Sequence, residues 1–253
     1  MTSPFSQALG LKNGDVLTLS GGGGKTSLLM TLARENALKN GLYTCSTKMF
    51  DPRSGSHPFD RILVNWQSER LPDACAGACF AAGAVLPSRV KGVPDKVKGL
   101  SNKTLESWNS ADGWSILVIE ADGAAGKPLK YPGPHEPVIP GNATHAVGCI
   151  GMEVLGKSPE PELVHRCELF KERLIPGGKG IVKVETLAAL INDPEGLFKN
   201  CPEKNGFTRT VVLNKMELLD SRFSIKDVIR SLRKDCPSVR VMGTSLKTGQ
   251  IID

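Results

Sequence analysis

No apolar run in this chain approaches the length of about 18 residues that a membrane-crossing helix requires, so no membrane span is expected. The opening stretch Met1–Lys12 lacks a basic start followed by a long apolar segment. No secretory signal is read there, and a cytoplasmic protein is expected. Zinc-knuckle Cys-x-x-Cys spacing is missing too. The seven cysteines are scattered and odd in number, which fits free thiols in a reducing compartment. Cys75 and Cys79 lie four apart in the alanine-rich run Asp73–Ala84, where a helix would put them on one buried face. Cys149 sits in an apolar segment and reads as a strand residue. Aromatics make up only 5% of the chain, and none interleaves with the lysines at Lys91, Lys96, Lys98 and Lys103. A nucleic-acid surface is therefore not expected, and the net charge of +6 suits anionic small molecules instead.

What is present is a chain of 253 residues, 40% hydrophobic, long enough for a full α/β core. Apolar runs at Asp15–Leu19, Leu42–Ser46, Trp114–Ile119, His145–Ile150, Arg209–Leu213 and Val239–Met242 read as strands. Lys25–Lys39 carries Leu28, Leu29, Leu32 and Ala33 at helical spacing. Such alternation predicts a mostly parallel sheet flanked by helices with right-handed crossovers. Two stretches, 50–112 and 151–207, do not fit simple strand–helix units and are read as helical insertions within a single domain. The first holds a short strand at Arg61–Val64 and helices near Asp73–Ala84 and Asp95–Trp108. The second holds helices near Glu162–Arg173 and Val184–Ile191, with a turn at Gly177–Gly180.

Between the first strand and first helix runs Leu19-Ser-Gly-Gly-Gly-Gly-Lys-Thr-Ser27. Gly21, Gly22, Gly23 and Gly24 let the backbone turn tightly and offer N–H groups to phosphate oxygens, with the helix N-terminus behind them. In a P-loop of this kind, Lys25 reaches the β- and γ-phosphates, and Thr26, followed by Ser27, ligates Mg²⁺. The long form of the motif requires glycine where Leu19 stands. The shorter Gly-x-x-Gly-Lys-Thr form found here is similar to the loop of ATP-dependent amide ligases of the Mur type.

Trp114-Ser-Ile-Leu-Val-Ile-Glu-Ala-Asp-Gly123 brings two carboxylates to the end of an apolar strand. Glu120 and Asp122 are candidates to hold Mg²⁺ or orient an attacking water, and Gly123 to offer an N–H to the γ-phosphate. A helix N-cap is the plainer account of such acids. The Glu-x-x-Gly spacing resembles the switch region of P-loop metal-chaperone GTPases. Asn214-Lys215-Met-Glu217 resembles the guanine-reading Asn-Lys-x-Asp, with glutamate in place of aspartate. Thr244–Gly249, with Ser245, Leu246 and Lys247, resembles the second base-contact loop. Together they favour GTP over ATP without excluding ATP.

The block from Glu120 to Pro140, with Gly-Lys-Pro-Leu-Lys-Tyr-Pro-Gly-Pro-His-Glu-Pro-Val-Ile-Pro at its end, resembles the signature of the YqeC-like family of selenium-dependent hydroxylase accessory proteins. Gly21–Ser27, Thr44-Cys-Ser-Thr-Lys48, Gly151–Lys157 and Val164-His-Arg166 support the likeness. It implies a role in maturing or inserting a selenium-containing molybdenum hydroxylase cofactor, with that hydroxylase or its cofactor as partner. Thr47 is a further candidate for Mg²⁺. His135, Glu136, Lys127 and Arg166 are candidates to meet the cargo or substrate; a stiff connection and surface ion pairs are the alternatives. Lys130 reads as a phosphate contact or a solvated side chain. Three readings stay open: a Mg²⁺-dependent NTPase, a Mur-type ligase or activating enzyme, and a non-catalytic nucleotide-dependent module. By analogy with metal chaperones, a homodimer is expected.

Overall fold

The apolar runs form parallel strands because each is buried on both faces and so needs no polar side. A computed structural model describes residues 5–35, 40–108, 113–175, 177 and 179–253. Its elements in chain order are α1 (Phe5–Ala8), β1 (Asp15–Gly21), α2 (Lys25–Arg34), β2 (Gly41–Cys45), β3 (Lys48–Phe50), β4 (Arg61–Leu63), β5 (Ala78–Ala81), β6 (Val85–Leu86), β7 (Lys96–Lys98), α3 (Asn102–Glu106), β8 (Ile116–Glu120), β9 (Leu129–Lys130) and β10 (His145–Gly151). They continue with β11 (Val164–His165), α4 (Cys167–Leu174), α5 (Val184–Asn192), β12 (Thr208–Asn214), α6 (Ile225–Asp235), β13 (Arg240–Ser245) and β14 (Gln250–Ile252).

Nine strands make one sheet in the order β14-β13-β12-β10-β1-β8-β2-β5-β4. All neighbours are parallel except β13 and β14, which turn back on each other. β1 is central, with β8 on one side and β10 on the other. The chain leaves β1 towards β2 and later returns past β8 to β10, so the sheet order reverses at β1. In open α/β sheets, ligands bind beyond the carboxyl ends of the strands at such a reversal. Helix α2 covers one face with Leu28, Leu29 and Leu32, while α5 and α6 cover the other with Leu187, Leu190, Val228 and Leu232. A three-stranded antiparallel sheet, β3-β7-β6, and a parallel pair, β11-β9, sit beside the main sheet.

The mostly parallel α/β architecture agrees with the sequence reading, but several local expectations are corrected. The segment expected as a helix over Asp73–Ala84 carries instead the strand β5, buried along its whole length between β2 and β4. Alanine favours helix in isolation, yet a Cys-Phe-Ala run between Gly77 and Gly83 packs equally well inside a sheet, and tertiary burial overrides propensity. Cys75 and Cys79 therefore do not stack on a helix; Cys79 is buried within β5 and Cys75 is half-buried ahead of it. The helix expected over Asp95–Trp108 divides into β7 and the short α3. At Gly99, between them, a Cβ would stand 2.4 Å from the carbonyl carbon of Ser46, so the chain crosses too close to β2's exit to continue helically. The helix expected from Glu162 begins only at Cys167: Val164–His165 pairs with β9, and Arg166 takes a left-handed φ of 58°. His165 and Arg166 thus lie before the helix and not on it. Among its described residues the first insertion therefore holds four short strands, β4 to β7, and one short α-helix, α3, joined by irregular chain. The expected extension of the first helix over residues 36–39 lies outside the described residues, as do Gly178 of the expected Gly177–Gly180 turn and residues 109–112 of the first insertion. Among the described residues, no helix is long and apolar enough to cross a membrane.

Candidate functional site

The glycine loop closes β1 and opens α2, and its fold is set by close backbone approach. Gly23 has φ 71°, and a Cβ there would fall 2.1 Å from the Gly151 nitrogen; Gly24 has φ 123°, and its Cβ would meet the Asn214 amide nitrogen at 2.4 Å. Only glycine satisfies both demands. The loop is tied down by three amides. Gly21 N–H donates to Asp122 Oδ2 (3.1 Å), Gly22 N–H to the Cys149 carbonyl (3.0 Å) and Gly23 N–H to the Lys127 carbonyl (3.0 Å). The next amides begin α2, whose N-cap residue Gly24 provides no side-chain cap. The first-turn N–H groups of a helix have no intrahelical partner and carry the positive end of its dipole. They border a cavity of about 520 Å³ whose walls include Lys25, Thr26, Glu120, Gly123 and Lys127.

Two carboxylates approach the loop in different ways. Glu120, the last residue of β8, accepts a 2.7 Å hydrogen bond from the Thr26 hydroxyl. Burial pushes the Glu120 carboxyl above its ordinary range, and the Lys25 charge and the Thr26 hydrogen bond only partly offset that. A hydroxyl beside a carboxylate at the cavity wall is an oxygen donor set for a hard cation such as Mg²⁺, which completes its shell with phosphate oxygens and water. Among the described residues, no group of three or more His, Cys, Asp or Glu could hold a metal by itself.

Asp122 is fully buried behind the loop rather than on the cavity wall. Its Oδ1 lies 3.1 Å from Lys25 Nζ, and its Oδ2 lies 2.9 Å from Lys130 Nζ. Lys130 is likewise buried; it donates to the Gly123 carbonyl (2.6 Å) and to Glu136 Oε2 (2.7 Å). Glu136 Oε2 in turn accepts from Arg166 at 2.6 Å. A line of alternating charges thus runs from Lys25 through Asp122, Lys130 and Glu136 to Arg166. Burial works to lower the Lys25 pKa, but Asp122 and Glu120 outweigh it and hold the ammonium above its ordinary value. Burial would raise the Glu136 carboxyl, but Lys130 and Arg166 outweigh it and hold it low. Lys130, read from the sequence as a phosphate contact or a solvated side chain, is instead buried in ion pairs, since nothing in Leu-Lys-Tyr distinguishes a buried lysine from a solvated one.

Asn214 ends β12 and is buried. Its amide donates to the Gly23 carbonyl (2.7 Å), and its Oδ1 accepts from Thr244 Oγ1 and Leu246 N–H, both at 3.2 Å. It clamps the loop to the β13 exit, engaging its carbonyl oxygen twice and one of its two amide hydrogens. Lys215 is ion-paired with Glu153 and borders both the loop cavity and an adjoining groove of about 510 Å³. That groove also meets Ser27, Glu217, Leu246 and Lys247, together with Met30 and Arg34, which the sequence did not single out. Ser245 is buried beneath it, its hydroxyl accepting from Thr248 N–H at 3.3 Å.

Other expected residues lie elsewhere. Thr47 borders a different cavity, of about 640 Å³, and its hydroxyl is buried without a protein partner. His135 is exposed beside the charge line, and Lys127 donates to the Pro161 carbonyl. Cys149, against the loop, is fully buried, and that burial pushes its thiol up to about 12.

Comparison with known proteins follows the same residues. A relative from Escherichia coli (strain K12), named Uncharacterized protein YqeC, is 28% identical over 229 residues, 88% of this chain and 84% of that protein. No solved structure matches the chain. The family model described as YqeC protein matches residues 17–168, more than half of the chain, from β1 through the glycine loop and the acidic strand end to the start of α4, and the chain therefore belongs to the YqeC family.

Proposed function

We propose that this protein binds a Mg²⁺–nucleoside triphosphate along the loop cavity and adjoining groove and hydrolyses it, with GTP favoured over ATP. The observation that carries the reading is the uncapped start of α2, with Lys25 and Thr26 on it, facing Glu120 across a cavity at the reversal point of the sheet. The free amides of α2 and the Lys25 ammonium take the phosphate oxygens. Thr26 and Glu120 hold the cation, which supplies charge neutralisation as the terminal phosphoryl group departs. Asp122 is a positioning residue: it fixes the Gly21 amide and Lys25 and does not face the phosphates. Glu217, exposed at the groove, is the group placed to accept from guanine N1 and N2. The resemblance of the Glu120–Pro140 block to hydroxylase accessory proteins supports coupling of this turnover to maturation or insertion of a selenium-containing molybdenum cofactor.

Calorimetric titration of GTP and ATP analogues with Mg²⁺, alongside phosphate release, tests the reading. Thr26→Ala should weaken the Mg²⁺ dependence of binding, and Glu120→Gln should cut turnover by about a hundredfold or more, the scale of a positioned catalytic group. Absence of binding at millimolar nucleotide would overturn it.

A further inference from the structure

A second cavity opens on the same edge of the sheet, beyond the carboxyl ends of β2 and β5. Its volume of about 640 Å³ is within the ordinary range for a small-molecule site. Among the described residues no aspartate or glutamate borders it, whereas Lys48 and Lys98 do. These two lysines are direct partners in the antiparallel β3–β7 pairing. Like charges set opposite each other in a sheet repel, and among the described residues neither is in an ion pair. Both are solvent-exposed, and an anion seated between them would relieve that repulsion.

Two more features point into the same space. The Thr47 hydroxyl is buried at the cavity wall with no protein partner, a donor and acceptor left for a ligand. Trp66 supplies a flat wall, its ring fixed by a 2.8 Å hydrogen bond from Nε1 to the Arg70 carbonyl. The floor is rigid, because Leu100 N–H donates to the Cys45 carbonyl and Gly83 N–H to the Lys98 carbonyl. Lys48 borders this cavity and the loop cavity alike, so occupants of the two would be neighbours across one ammonium.

We propose that this cavity binds a small organic anion with a planar ring system, held by Lys48, Lys98 and the Thr47 hydroxyl against Trp66, next to the proposed triphosphate site. The anion site itself stands on its own residues; only its role as second substrate or cargo pocket rests on the nucleotide reading.

Naphthalene-1-sulfonate is a suitable probe, with uncharged 1-naphthol as its control, followed by amide chemical shifts of the full chain. The probe should shift Thr47, Lys98 and Leu100 and leave residues 21–27 in place. Lys98→Glu should weaken it by at least about tenfold, because an attraction becomes a repulsion at short range. Thr47→Val, which keeps shape and charge, should weaken it several-fold. Lys25→Ala should leave probe binding unchanged while removing nucleotide binding, so failure at either site is read separately. Shifts confined to other surfaces, equal binding of 1-naphthol, or unchanged affinity in both cavity variants with unaltered melting would overturn the assignment.

Discussion

Asn214 separates two roles that one motif can play. If it clamps the loop, Asn214→Ala removes three hydrogen bonds at once. The Thr244 hydroxyl can rotate to another partner, but the Gly23 carbonyl and the Leu246 amide are left short of one. Each buried polar group without a partner costs about 1–3 kcal/mol, so a loss of about 3 kcal/mol is expected. For a chain of this size that corresponds to a fall in Tm of about 6–12 °C. Thermal melting by circular dichroism measures this without any ligand. Calorimetry then compares GTP, ATP and tripolyphosphate. Because the substitution frees the loop and not a base contact, all three should weaken by a similar factor. The opposite result, an unchanged Tm with loss confined to guanine, would mean that the side chain reads the base and that the clamp is a misreading.

Two further expectations follow from the charges. Lys130→Met strips the lysine that pairs with both Asp122 and Glu136; breaking a buried pair by removing one member costs about 3–5 kcal/mol, so Tm should fall by at least about 6 °C, and an unchanged melt would show that the line of charges contributes no stability. Glu120 holds its proton to a higher pH in the folded protein than in the unfolded chain, so its ionisation weakens the fold as pH rises through that raised pKa, while the cation requires the ionised form. Mg²⁺–nucleotide affinity should therefore rise as pH increases through this range and binding should release a proton, seen as a dependence of the calorimetric heat on buffer ionisation. Glu120→Gln should abolish that dependence, and persistence of proton release in the variant would assign it elsewhere.

Much of the scaffold was legible in the sequence because it rests on continuous apolar runs. β8, β10 and β12 are buried on both faces, and a run such as Ile-Leu-Val-Ile has few other uses in a chain of this length. The glycine loop was legible for a related reason, since four glycines before Lys-Thr make a demand on backbone geometry that few other structures share. β5 was not legible, because alanine and cysteine are apolar in helix and strand alike and only the neighbours β2 and β4 decide between them. The roles of Asp122 and Asn214 escaped because sequence spacing places a residue at a strand end but does not say whether its side chain turns to the cavity or behind the loop. In both cases it turns behind. The burial of Lys130, read as a phosphate contact or a solvated side chain, escaped because it depends on partners brought from Asp122 and Glu136, which only the fold assembles.

The two outermost strands of the main sheet, β4 and β14, are three residues each. A sheet's rim is where unpaired backbone groups invite another chain to add itself as an extra strand. Here that rim offers very little length on either side, and Arg61 and the Arg240–Asp253 pair put charge upon it. Edge-to-edge growth of the main sheet is thereby disfavoured.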